Sequence, residues 1–505
     1  MRSILLLATA VLLTPVLSHA QSNPPQTLRI GIADDADALD PTLSRTLVGR
    51  FVFASLCDKL VDIDAKLNIV PQLAASYSWI DSKTLEFKLR PNVKFHDGTA
   101  FDAEAVKFNM ERHLTLSGST RKGEIAGLDH VEVIDPLTVR MVLKAPNSPV
   151  LAQLSDRSGM MISPKAATAA GANFGQHPVC AGPFKFTERV PQDRIVVDKF
   201  ADYWDVGNVH LNRVVYQPII DNTVRLANLR AGSLEMAERL APTDVAQIKG
   251  DPKLKLEIFD GLGYQSLAFN IANGKQPRSA MMKDARVRQA FVAAIDRQAI
   301  IDVVYNGLFT PVAQAVPPSS PFYAPSVKPA GRDLAKAKAL LAAAGVTTPV
   351  TVELMIINSP DQRQTGEVIQ SMAAEAGFVV KLRATEFVTA LKAQSDGDFE
   401  VFLIGWSGRA DADGNLYNTI HTDTPLNDTK YSSPAADTLL EQARIATDVG
   451  ARRELYGKLA MILNEDVPIM YVYSPKVLVG MSTKVTGFIP VADGLVRTKG
   501  IKLGQ

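Results

Sequence analysis

Residues 378–407, FVVKLRATEFVTALKAQSDGDFEVFLIGWS, hold a complete strand–helix–strand unit. Phe378 to Arg383 reads as a strand, Thr385 to Ser395 carries apolar residues at helical spacing, and Phe399 to Ile404 is a short apolar run of the kind buried strands show. The same rhythm extends upstream. A helix from Asp333 to Ala344 is stopped by Gly345, a strand runs from Val350 to Ile357, and a helix from Gln362 to Ala376 is stopped by Gly377. Alternation of this kind predicts an α/β lobe built on a largely parallel sheet. Ligands of such sheets gather outside the carboxyl ends of the strands, which is where the turn GWSGRADADGN, residues 405–415, falls.

Ser407 in that turn invites a second reading, as the nucleophile of an exported α/β hydrolase. The G-x-S-x-G elbow needs glycine at position 409, and the chain has Arg409. No other grouping of nucleophile, base and oxyanion donors emerges, so no catalytic residue is expected.

The N-terminal half is less regular. Thr27 to Ala33 alternates as a strand and ends in the acidic turn Asp34-Asp35-Ala36-Asp37. Thr46 to Leu60 reads as a helix, Thr84 to Leu89 as a strand, and Asp102 caps a helix reaching at least Met110. With strands at 138–143 and 194–200, this half is mixed α+β. Asp284 to Ile295 is a further capped helix. Six prolines between Thr310 and Gly331 imply a surface crossing without regular structure.

The chain opens MRSILLLATAVLLTPVLSHAQ. One basic residue, an apolar run from Ile4 to Leu17 and the small residues Ser18 and Ala20 form a cleavable export signal, with cleavage after Ala20. The run is shorter than the ~20 residues that cross a bilayer. The residue directly after the site is Gln21 and not cysteine, which argues against lipid anchoring. Of the 54 basic residues Arg2 leaves with the signal, so the mature chain is balanced against 53 acidic ones, and nucleic acid or an anionic membrane is not the expected partner. The length calls for two or three domains. Two cysteines, Cys57 and Cys180, bound for an oxidising compartment, predict one disulfide. The seven histidines form no HxxxH or HxH pair, so neither a metal site nor a cofactor is expected.

Several segments then resemble one family. Leu89–Gly98 (LRPNVKFHDG) with Phe101–Asn109 (FDAEAVKFN), Cys180–Phe186 (CAGPFKF), Asp202-Tyr203-Trp204, Val304–Gly307 (VYNG) and Tyr431–Leu440 (YSSPAADTLL) stand in the order and spacing of extracellular solute-binding proteins of the peptide/nickel class, family 5. These serve ATP-binding-cassette importers. The resemblance implies a three-domain, type II periplasmic-binding-protein fold with two lobes around a ligand cleft. Domain I would comprise 21–64, 186–270 and 481–505, domain II 65–185, and domain III 271–480. Cys57 and Cys180 would flank the excursion into domain II.

The implied function is capture of a small solute, peptide-like or opine-like, and its delivery by a soluble, monomeric periplasmic protein to a membrane permease. In peptide-binding relatives an aspartate follows the tryptophan turn and pairs with the ligand ammonium. Ungapped alignment on Gly405-Trp406 puts Arg409 there, a cation that attracts a carboxylate instead. Arg363 resembles the position that holds a peptide carboxylate, and Trp406 one that walls the cavity. Asp411 and Asp413, beside Arg409, and Asp34, Asp35 and Asp37 from domain I complete the expected ligand set. A nickel-chelate binder of the same fold, with His421 near the metal complex, is the alternative.

Overall fold

Strand Leu254–Asp260 pairs antiparallel with Lys476–Ser482, and a few residues further Tyr264–Phe269 pairs antiparallel with Ile469–Ser474. The two pairs belong to different sheets. The first forms one edge of a seven-stranded sheet whose remaining strands are, in spatial order, 236–238, 27–32, 213–218, 194–199 and 184–190. The second lies in a six-stranded sheet ordered 310–311, 469–474, 264–269, 401–406, 350–357 and 378–385. The chain therefore passes between the sheets across Gly261–Gly263 outward and Pro475 on return. These crossings differ from the expected boundaries at 270 and 480. In IMYVYSPKVLVGM, residues 469–481, only Ser474-Pro475-Lys476 interrupts the apolar run, and Tyr264–Phe269 follows Gly261–Gly263 directly, so each change of sheet is marked by no more than three residues.

The computed structural model describes residues 26–274 and 279–504; the expected export signal, residues 1–20, lies outside them. The six-stranded sheet is mixed. Val350–Ile357 is parallel to both Phe378–Thr385 and Val401–Trp406, as the helix–strand alternation requires. The strands at 264–269, 469–474 and 310–311 pair antiparallel, so the sheet is not largely parallel. The reason is the outward crossing, whose strand enters beside 401–406 and runs against it. Leu267, Leu354 and Val401 stand in the core on this sheet, and Ile30 and Val214 in that of the seven-stranded one.

A third, four-stranded antiparallel sheet, ordered 74–79, 84–89, 138–143 and 128–135, carries its own core around Leu85, Phe87, Val139 and Met141. Helix Ala103–Thr115 packs on it, and Asp102 caps that helix by accepting from Ala105 N. The helix expected from Thr46 runs from Leu47 to Leu56 and stops at Cys57, whose backbone is extended. Cys57 is bonded to Cys180. The segment from Thr310 to Gly331 is irregular after Pro311, as its prolines require, yet it is no surface crossing: Val312, Ala315, Val316 and Phe322 are buried. Gln314 makes this possible, since its amide accepts from Ala324 N and donates to the carbonyls of Ala324 and Val327. The backbone polar groups are thereby satisfied without a sheet.

His96, from the segment LRPNVKFHDG, binds the disulfide region. Its backbone N donates to Cys180 O at 2.8 Å, its Nδ1 accepts from Cys180 N at 3.2 Å, and its Nε2 donates to Gly182 O at 3.1 Å. Only the neutral ring can accept at one nitrogen and donate from the other. Burial lowers its pKa from 6.5 to about 4. Between those values the unfolded chain binds a proton that the folded chain does not. Stability is therefore complete above pH 6.5 and is lost as pH falls toward 4, by on the order of 2–3 kcal/mol for this group. Urea midpoints at pH 7 and pH 4.5 should lie closer together in His96→Gln than in the parent. His113, pushed down to about 3 by burial beside Arg121 and Arg112, keeps its own share of the slope.

Candidate ligand-binding site

A cavity of about 490 Å³ opens between the seven-stranded and six-stranded sheets. Its lining comes from strand ends and helix starts of both: Ala33 and Asp34 after the first strand, Glu238 and Arg239 after strand 236–238, Tyr264 and Gly405–Ser407 from the six-stranded sheet, and Ser359–Gln362 at the start of helix Pro360–Ala374. None of the lining residues falls within 52–219, so the four-stranded sheet contributes no side chain to it.

On one wall Asp34 is buried and pairs with Arg239 at 2.9 Å. Burial raises its carboxyl to about 6 against the opposing pull of Arg239. Glu238 accepts from Ala33 N at 2.6 Å and pairs with Arg239 at 2.9 Å. Nearby, Phe309 stacks on Tyr473 at 5.2 Å and Tyr305 lies 5.0 Å from Tyr473; all three face the cavity. Asp361 also lines it, accepts from Ser359 Oγ at 2.7 Å, and forms no ion pair among the described residues.

Elsewhere in the lining, the turn after strand Val401–Trp406 is fixed by close backbone approach. A Cβ on Gly263 would lie 2.2 Å from Trp406 O, and one on Gly408, whose φ is +78°, would lie 2.2 Å from the Leu262 carbonyl carbon. Both positions accept only glycine. Trp406 lines the cavity and donates from Nε1 to Gly414 O at 3.2 Å. Ser407 follows it on the same wall, and its Oγ accepts from Arg50 Nη1 and from Arg409 Nη1, each at 3.2 Å. Guanidinium groups donate and do not take a proton, so nothing on these partners activates the hydroxyl for attack.

Of the residues expected to touch ligand from the sequence, Trp406 and Asp34 line the cavity and the others do not. Arg409 is 7% exposed, pairs with Asp156 and lies 5.1 Å over the Trp406 ring. Burial alone would raise Asp156, but Arg409, Arg50 and Arg157 hold it well below the usual carboxylate range. Asp411 is held bidentately by Arg452, both bonds at 2.7 Å. Asp413 receives Arg444 at 2.7 and 2.9 Å and Gln153 Nε2 at 2.7 Å. Asp35 pairs with Arg189 at 3.2 Å and accepts from Gln192 N. Asp37 caps its own loop, accepting from Ser44 Oγ, Arg45 N and Thr46 Oγ1. Arg363 is exposed and donates to Asn358 Oδ1, while its neighbours Asp361 and Gln362 face the cavity. His421 stacks on Tyr417 at 4.6 Å and is not part of the lining. Among the described residues no three His, Cys, Asp or Glu side chains converge as metal ligands, and no helix is long and apolar enough to cross a membrane.

Sequence reasoning missed Glu238, Arg239, Asp361 and the aromatic group. Glu238 and Arg239 sit in AERLAP, which carries no motif, and Asp361 stands two residues before the more conspicuous Arg363.

Breaking one of these buried pairs should cost stability. Asp411→Ala leaves Arg452 uncompensated in the interior, and urea denaturation should register a loss of about 3–5 kcal/mol. Arg409→Ala should likewise lower the midpoint, because it strips Asp156 of one of its cations.

The profile of the bacterial extracellular solute-binding proteins, family 5 (middle), matches residues 68–428. The glutathione-binding protein GsiB of Pectobacterium atrosepticum is 30% identical over 479 residues, 92% of each chain. Among solved structures, the Helicobacter pylori periplasmic binding protein DppA in complex with the peptide STSA superposes with a TM-score of 0.87 at 26% identity, covering 95% of this chain and 98% of that one. AgaA from A. tumefaciens, in complex with agropinic acid, superposes with a TM-score of 0.86 at 27% identity, covering 95% and 99%.

Proposed function

The chain belongs to the family 5 bacterial extracellular solute-binding proteins, and on that premise we propose that it captures a small peptide-like solute bearing both an ammonium and a carboxylate group. It does so in the periplasm, after removal of residues 1–20, and presents the solute to the permease of an ATP-binding-cassette importer. The observation that carries this reading is the cavity itself: about 490 Å³, lined by two lobes, with aromatic faces and charges of both signs. Glutathione and a short peptide, the ligands named for two of the relatives, carry both groups, and agropinic acid, named for a third, shares the carboxylate. Asp361, without a cationic partner among the described residues, is suited to a ligand ammonium, and the Tyr305–Phe309–Tyr473 group to its apolar or cationic portion.

The binding cycle follows from how the sheets are joined. Domain I is built on the seven-stranded sheet, domain II on the four-stranded sheet, and domain III on the six-stranded sheet, with crossings at 261–263 and 475 acting as the hinge. Closure brings together contacts now present between them: Arg409 with Asp156, Arg45 with Asp428, Asn418 Nδ2 with Thr120 O at 3.0 Å, and Arg444 Nη2 with Gly123 O at 2.9 Å. No covalent step is required. Ser407 is engaged by two guanidinium groups and lacks a base, so the protein acts as a binder rather than a hydrolase.

Mass spectrometry of solute released from protein purified without dialysis should find an amine- and carboxylate-bearing compound. Calorimetry with glutathione and Ala-Ala-Ala should find at least one that binds at micromolar concentration or below. A released solute lacking either group, or no binding of either compound, would reject the reading.

A further inference from the structure

We propose that Ser407 is the donor that receives a carboxylate oxygen of the ligand, with Arg50 and Arg409 acting through it as positioning residues. The inference rests on the peptide-like solute reading above and names the group that sets ligand polarity at this wall. A serine hydroxyl has two acceptor lone pairs and one hydrogen. Both lone pairs of Ser407 are occupied, by Arg50 Nη1 and Arg409 Nη1 at 3.2 Å each. Neither partner can accept a hydrogen bond, and among the described residues the Ser407 hydroxyl donates to no acceptor. Since Ser407 lines the cavity, its hydrogen is left for the ligand. The hydroxyl cannot reverse its role, so it favours an acceptor and disfavours an ammonium.

The surrounding charge strengthens that donor. Arg50, Arg121, Arg157 and Arg409 gather behind Ser407 around two carboxylates, Asp156 and Glu124. Arg157 is fully buried, and its Nε and Nη2 have no hydrogen-bond partner. Positive charge is therefore in excess on this side of the wall. Arg50 and Arg409 side chains are only 3% and 7% exposed and neither lines the cavity, so ligand meets their charge through the serine and not directly. The glycines at 263 and 408, locked against each other's strands, keep the turn from swinging the hydroxyl away.

The test is calorimetry on the mature protein with glutathione, with Ala-Ala-Ala, and with Ala-Ala-Ala amidated at its C-terminus. Ser407→Ala should weaken binding of the free acids by roughly ten- to hundredfold, the range expected for a charge-assisted bond in a desolvated site. The same change should leave the amidated peptide within about threefold, and Ser407→Thr, which keeps a hydroxyl, should recover most of the acid affinity. Arg50→Met should lower the acid-to-amide affinity ratio in the same direction, an effect that a purely structural role would not produce; Ser407→Gly serves if the alanine variant folds poorly. Equal losses for acid and amide, or none, overturn the inference while solute binding stands. No binding of any of the three compounds to the parent protein overturns the peptide-like reading and this inference together.

Discussion

The close backbone approach between the crossing Gly261–Gly263 and the turn Trp406–Gly408 governs the rest of the structure. There the chain leaves one sheet for the other, and there two glycines let the backbones meet at distances that no side chain would tolerate. Because strand 264–269 pairs with 401–406 immediately afterwards, the crossing fixes the register of the strand that presents Trp406 and Ser407. The crossing and one wall of the cavity are thus the same piece of backbone, so any shift of one sheet against the other is felt at the turn that lines the cavity.

Around this point the buried acids are each held by an arginine. Asp411 is held by Arg452, Asp413 by Arg444 and Asp156 by Arg50 and Arg409. A buried ion whose partner is fixed is a structural element, and its removal is costly. The turn GRADADGN looks from sequence like a charged surface offered to ligand, and its charges are in fact consumed internally. Asp361 and Ser407, both on the cavity lining, stand outside these ion pairs.

The lobe from 333 to 406 was legible because each of its helices and strands is short, periodic and closed by a cap or glycine; Asp333, Gly345 and Gly377 mark its turns in the sequence. Its antiparallel strands were not, since 264–269 and 469–474 reach the sheet from the far side of the crossings, and long-range pairing leaves no local trace. The cysteine pair was readable from compartment and position. Site residues were harder. Trp406 follows a strand whose end is visible, and Asp34 does the same, so both could be placed at the cavity. Arg409 could be located but not oriented, because its partner Asp156 is remote in sequence. Whether a charge faces ligand or another charge is decided by that remote partner.

Residues 52–219 supply nothing to the cavity lining, while much of that span leaves and returns through one covalent base at Cys57 and Cys180. Descendants of a common ancestor are therefore free to exchange ligands by altering the strand ends and helix starts around the cavity while most of the excursion stays constant. The excursion keeps one tie to the lining, because its Asp156, Glu124, Arg121 and Arg157 stand behind Arg50 and Arg409, and a change there carries through to the turn.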